Sequence, residues 1–86
     1  MKIKREFVLR EIAGDILLVP TGKTALDLNG MLTMNSVGAD IWKMLPEVES
    51  EDEIVSRLLE EYEAEPEQVK HDVAEFLDKF RELGIL

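Results

Sequence analysis

Met31-Leu32-Thr33-Met34-Asn35-Ser36-Val37-Gly38-Ala39-Asp40-Ile41-Trp42-Lys43-Met44-Leu45-Pro46 contains the point where the period of the chain changes. Met31 to Met34 is an uncharged run of strand length. From Val37 onward the apolar residues Val37, Ile41, Met44 and Leu45 fall on one helical face, and Trp42 widens it. Asn35 stands at the junction as an N-cap, its side chain able to accept from the first free amides of the helix. Pro46 is expected to end that helix, because the residue before a proline disfavours helical geometry. Gly38, inside the helix, implies close packing against a neighbouring backbone. The chain therefore reads as strands before Asn35 and helices after it.

Upstream, Phe7-Val8-Leu9-Arg10-Glu11-Ile12 is a short, partly alternating run rich in strand formers. Ala13-Gly14-Asp15 follows as a turn, with Gly14 free to adopt positive φ. Ile16-Leu17-Leu18-Val19 is a second strand stopped by Pro20. Thr21-Gly22-Lys23 reads as a turn, Thr24 to Asn29 has no decisive pattern, and Asn29-Gly30 is a turn signal before the third strand.

Downstream, Ser50 and Glu53 have capping-box spacing at the start of a second helix, whose apolar face is Ile54, Val55, Leu58, Leu59 and Tyr62. Pro66 suits the first position of a third helix. Val69, Val73, Phe76, Leu77, Phe80 and Leu83 give it an amphipathic stripe. Gly84 is its C-cap, with Ile85 packing back. The expected fold is α+β and winged-helix-like, a three-stranded antiparallel sheet followed by three helices that cover one sheet face. The 86 residues are expected to form a single domain, 1–86, and the 45% apolar content is enough for a core without metal or disulfides.

Charge is uneven. Residues 1–45 balance to +1, whereas residues 46–86 balance to −10. An acidic helical half repels phosphate, which argues against nucleic-acid binding. With no Cys there is no disulfide, zinc-thiolate site or thiol nucleophile. No stretch reaches the roughly 20 apolar residues of a membrane span. The basic start, Lys2 to Arg5, lacks the apolar run of a signal peptide. A cytoplasmic protein is expected.

Catalytic machinery is not apparent. The single histidine, His71, shares a polar helix face with Glu75, Asp78 and Glu82 and reads as a solvated surface residue. Glu51-Asp52-Glu53, Glu60-Glu61, Glu65 and Glu67 fall on exposed faces or loops, where carboxylates keep ordinary acidity and serve solubility. Ser36, Ser50 and Ser56 have no histidine partner, and the glycines form no phosphate loop. The chain is expected not to be an enzyme and to need no cofactor or metal.

The third strand is the informative feature. In a simple meander the first and third strands are the edges. Proteins blunt exposed edges with charge or proline. The first strand carries Lys4, Arg5, Glu6, Arg10 and Glu11 in or beside it, but Met31-Leu32-Thr33-Met34 carries neither charge nor proline. Such an edge beside an amphipathic helix is what β-strand addition of a peptide requires. The same edge is equally compatible with a short strand covered by residues 21–29.

Residues 32–45 resemble the "L-N-x-x-G-x-x-I-W-x-L-L" signature of PqqD-like proteins, with Met34 standing where Leu more often precedes the Asn. Glu53-Ile54-Val55 and Leu58 to Tyr62 resemble that family's second helix. Asp72-Val73, Phe76-Leu77 and Leu83 to Leu86 resemble its third helix and ending. The similarity runs from about Phe7 to Leu86. It implies a recognition element for ribosomally made, post-translationally modified peptides, which holds the precursor's leader segment between the third strand and the third helix. It also implies a separate modifying enzyme, often a radical SAM maturase, as a second partner. Carried onto this chain, the peptide-binding residues would be Met31, Leu32, Thr33 and Met34, acting mainly through their backbone, with Val69, Lys70, Val73, Phe76 and Leu77 from the helix. Leu77 and Phe80 read better as core. Lys70 and Lys79 are rare cations available to an acidic leader residue. Trp42 and Asn35 match the signature as packing and capping residues. Rival readings are a winged-helix DNA-binding regulator, a protein-interaction subunit without a groove, and an enzyme with an acidic metal site. The chain is expected to be a monomer or a homodimer paired through its bare edge.

Overall fold

The computed structural model describes residues 1–27 and 30–86. Strand β1 (Phe7–Ile12) pairs antiparallel with β2 (Asp15–Pro20) along its full length, from Phe7 opposite Pro20 to Ile12 opposite Asp15. The two-residue turn between them places Ala13 (φ 53°) and Gly14 (φ 85°) in the left-handed region. Two positive φ values match the right-handed twist of the flanking strands, and for Ala13 that conformation carries a steric cost. Strand β3 (Leu32–Met34) pairs antiparallel with the other edge of β2, Ile16 opposite Met34 and Leu18 opposite Leu32. The sheet order is β1-β2-β3, so β3 is an edge.

A short helix, α1 (Gly22–Asp27), lies between β2 and β3, so Gly22 and Lys23 open a helix where a turn was expected, and the undecided stretch from Thr24 continues it to Asp27. Its buried residue is the polar Thr24, whose Oγ1 accepts from the Glu6 N–H at 2.8 Å, while Leu26 is 83% exposed. This inversion of the usual burial hides the helix from a hydropathy reading. The expected Asn29-Gly30 turn includes a position outside the described residues. The third strand begins at Leu32 rather than Met31, which precedes it as an exposed residue.

Helix α2 (Ser36–Met44) starts as expected, with Asn35 Oδ1 accepting from the Gly38 N–H at 2.7 Å. The α-helix ends just before Pro46, as expected, but not because the preceding residue leaves helical geometry. Leu45 keeps helical dihedrals, φ −50° and ψ −45°, despite preceding Pro46. Pro46 then sits in a single 3₁₀ turn, Leu45–Glu47. The missing amide of Pro46 costs nothing at the start of such a turn. Helix α3 (Glu51–Glu61) is capped by Ser50 Oγ, which accepts from the Glu53 N–H at 3.2 Å, while Glu53 Oε1 reaches back to the Glu49 N–H rather than to that of Ser50. Helix α4 (Pro66–Glu82) has Pro66 in its first turn. It closes with Gly84 at φ 73° and a bond from the Ile85 N–H to the Phe80 carbonyl, the Schellman arrangement that only a residue free of Cβ strain completes cheaply.

The apolar faces of α2, α3 and α4 meet under the sheet. Leu18, Leu45, Ile54, Val73, Leu77 and Ile85 are 0% exposed and form the centre of the core. Trp42 joins sheet to helix, its ring edge-on to Phe7 at 5.9 Å and to Phe80 at 5.7 Å. Strands, capped helices and an apolar interior together give the α+β, winged-helix-like layout. Among the described residues no helix is long and apolar enough to cross a membrane.

Candidate functional site

Strand β3 makes its ladder bonds to β2 on one side, and no described strand lies against the other. Among the described residues no other backbone group bonds to Leu32–Met34, so the outer N–H and C=O groups of the strand face away from the sheet as those of an edge do. Leu32 is half-buried, Thr33 exposed and Met34 buried. This follows from register, since Leu32 and Met34 share the core face with Leu18 and Ile16 while Thr33 lies on the opposite face with Leu17.

A groove runs beside this edge. Its first part, about 150 Å³, is bounded by Leu32–Asn35 on one side and by Phe76, Lys79 and Phe80 of α4 on the other. Its second part, about 370 Å³, continues over Val37, Gly38 and Ile41 of α2 toward Asp72 and Glu75. Asn35, Gly38, Phe76 and Lys79 border both parts, which makes them one trough. Gly38 forms the floor. A Cβ there would stand 3.2 Å from Asn35 Oδ1 and 3.4 Å from both Met34 Sδ and Phe76 Cε2. The close approach expected at Gly38 is thus to side chains rather than to a backbone. Phe76 stacks at 4.2 Å on Phe80, which holds its ring at the groove wall.

Electrostatically the groove is polarised. Lys79 borders it near β3 and has no ion-pair partner among the described residues, whereas Asp72 and Glu75 border its far part. Glu75 Oε1 is 3.0 Å from His71 Nε2, and both residues are well exposed, as a surface His would be. At the junction of α2 and α3 the Tyr62 hydroxyl donates to Asp40 Oδ2. That bond, with desolvation and the nearby Asp40 charge, pushes the Tyr62 pKa up from 10.0 to about 12. Among the described residues no group of three or more His, Cys, Asp or Glu is arranged to hold a metal ion.

The structure distributes the expected binding residues unevenly. Leu32, Thr33, Met34 and Phe76 meet at the groove. Met31 lies just before it, 56% exposed. Val73 and Leu77 are 0% exposed, so they support the wall from beneath and present no surface. Val69 faces a different depression, between α3 and α4. Lys70 is exposed and 3.9 Å from Glu67, outside the groove. Lys79, Gly38 and Asn35 are groove residues by position. Spacing held part of this signal, since Lys79 follows Phe76 by one helical step of three and so shares its face.

A three-stranded sheet with β3 at its edge, beside a groove with an aromatic wall and a glycine floor, defines this chain as a small α+β domain with a trough between sheet edge and last helix. The chain belongs to the PqqD family: the family profile described as "Coenzyme PQQ synthesis protein D (PqqD)" matches residues 16–86. Among solved structures the fold is similar to that of "TbiB1 in Complex with the TbiA(beta) Leader Peptide", with a TM-score of 0.72 and 26% identity over 100% of this chain and 94% of that one. No curated protein matches the chain.

Proposed function

We propose that this protein binds the leader segment of a ribosomally made precursor peptide by strand addition to β3 and presents the peptide to a separate modifying enzyme. The observation that carries the reading is the trough between the open edge Leu32–Met34 and the α4 wall Phe76–Lys79–Phe80. Family membership and the similarity to a leader-peptide complex support it.

Magnitudes decide how such a ligand would be held. An edge of three residues offers about two to three ladder bonds, each worth about 0.5–1.5 kcal/mol net. Ordering a disordered peptide costs roughly 2–5 kcal/mol. The strand alone breaks about even, so net affinity must come from side chains in the groove, at about 1.5–3 kcal/mol for each large apolar group buried. The backbone fixes the register and the groove selects the sequence.

The protein acts as a single cytoplasmic module without a chemical step of its own. Holding the leader raises the local concentration of the rest of the precursor at the enzyme to about the millimolar scale. A radical SAM maturase is the partner that the family resemblance favours. The acidic balance of residues 46–86 disfavours the DNA-binding alternative.

The test is a titration of the labelled protein with synthetic leader peptides of ribosomally made precursors, followed by amide chemical shifts. Movement is expected at Leu32–Asn35, Gly38, Phe76, Lys79 and Phe80. Shifts spread elsewhere, or none at a leader concentration that the maturase turns over, would remove the proposal.

A further inference from the structure

The trough does not stop at Asp72. A third depression, about 200 Å³, lies between the end of α3 and the start of α4. It shares Val37 and Asp72 with the second part of the trough, so the surface is continuous from β3 to the α3–α4 loop. Its walls are Val37, Leu58, Tyr62, Ala64 and Val69. Leu58 and Val69 are buried, so the base is packed and does not collapse. The Tyr62 wall is held by its hydroxyl bond to Asp40. The rim is polar and negative. Asp72 Oδ1 accepts from Gln68 Nε2 at 2.9 Å, and neither Asp72 nor Glu63 has an ion-pair partner among the described residues.

We propose that this pocket is a second anchoring subsite for the same leader peptide, taking one large apolar side chain next to a lysine or arginine in the peptide. The inference rests on the leader-binding reading and adds to it a sequence requirement. Three observations select this occupant. The lining is continuous with the groove beside β3. The base is apolar and the rim carboxylates call for a cation. The three-residue edge cannot hold an extended chain unaided, so affinity comes from side chains buried along the trough, and an apolar pocket at its end adds to what the groove beside β3 supplies.

Geometry sets the spacing. Phe76–Phe80 border the β3 part of the groove and Gln68–Asp72 border the end pocket, a displacement of eight residues along α4. Eight residues rise about 12 Å, which extended peptide spans in about four residues. Antiparallel addition to β3, the stronger mode, places the apolar anchor on the N-terminal side of the pairing segment.

The experiment selects randomised peptides, long enough to span both sites, on the full chain, and measures their affinities for two variants. Ala64→Leu fills the pocket from an exposed loop position, and Asp72→Lys reverses its rim. Selected peptides are expected to share an apolar residue beside Lys or Arg, about four positions from the residues that shift the Leu32–Met34 amides. Ala64→Leu is expected to weaken them about tenfold while leaving peptides trimmed to the pairing segment unaffected. Asp72→Lys is expected to weaken the basic peptides by a similar factor and to favour the same peptides with Glu in the basic position. If the Leu32–Met34 amides shift but both variants bind as the parent does, the subsite is overturned and leader binding stands. If no selected peptide shifts those amides, both fall. Should Ala64→Leu lose its dispersed amide spectrum, Asp72→Lys decides alone.

Discussion

Gly38→Ala is the substitution that separates groove geometry from helix stability. Gly38 lies inside α2, and alanine there gains about 1 kcal/mol of helix propensity over glycine. The added methyl meets Asn35 Oδ1 at 3.2 Å, Met34 Sδ at 3.4 Å and Phe76 Cε2 at 3.4 Å. Asn35 Oδ1 cannot retreat freely, because it accepts the Gly38 N–H, and losing that cap costs about 1 kcal/mol. Met34 is buried against the core. Relief must therefore come from Phe76, whose half-buried ring borders the groove and has open space on that side. Overpacking of this kind costs about 1–3 kcal/mol. Set against the propensity gain, the net is a destabilisation of about 1 kcal/mol, or a fall in Tm of about 4–8 °C for a chain of this size. Displacing the ring into the groove narrows it, and leader affinity is expected to fall about tenfold, or about 1.4 kcal/mol. Thermal unfolding by circular dichroism and a fluorescence-anisotropy titration measure the two effects. A variant that melts higher by the propensity gain alone, and binds the leader as the parent does, would refute the packing argument at the floor.

Four further outcomes follow from other contacts. Lys79→Glu is expected to weaken an acidic leader about three- to tenfold in a salt-dependent way, while Lys70→Glu leaves affinity unchanged because Lys70 lies outside the groove near Glu67; isothermal titration at two salt concentrations compares them. Leu77→Ala is expected to cost about 2–5 kcal/mol of stability by denaturant unfolding, since Leu77 is 0% exposed, so any binding it loses reflects unfolding of the wall. Ala13→Asn is expected to raise Tm by about 2–8 °C, because Asn tolerates the positive φ that Ala13 is forced to adopt. Tyr62 is the only tyrosine, so its ionisation is readable at 295 nm. The midpoint is expected near the pKa of about 12, moving back toward 10.0 in Asp40→Asn. Because the folded-state pKa is raised, the contribution of this bond to stability is complete below the unfolded value near 10.0 and is lost as pH rises through about 12. An unchanged midpoint in Asp40→Asn would remove the bond as its cause.

What could be read in advance was local chemistry. The Asn35 and Ser50 caps, Pro66 at a first turn and Gly84 after a last one are decided by a few neighbouring residues, and the structure places all of them where spacing did. Helix α1 was not legible, because its buried residue is polar and its leucine is exposed. The reason is tertiary: the Glu6 amide needs an acceptor, and Thr24 supplies it. The site was legible on its strand side and blurred on its helix side. The stripe Val69, Val73, Phe76, Leu77 and Phe80 is wider than the core alone requires, but periodicity cannot tell the residue beneath the wall from the one on it. Val73 and Leu77 lie beneath, Phe76 on the wall and Val69 around the corner, a division set by where α2 and β3 pack.

The shortness of β3 reconciles two demands on an unprotected edge. A long, flat, uncharged edge binds any extended chain, including a second copy of itself, and invites aggregation. An edge of three residues gives too few bonds to hold a guest unaided, so it discriminates against chains that bring only a backbone. A chain whose side chains also fit between Gly38, Phe76 and Lys79 gains the remainder. Selectivity therefore lies in α2 and α4, and the strand serves as a register guide. The same division favours release, because neither contact is strong alone and the groove is open along its length. Under the proposed function, in which the peptide passes on to an enzyme, a weak sheet edge favours that release, so lengthening β3 at Met31 would trade specificity for retention.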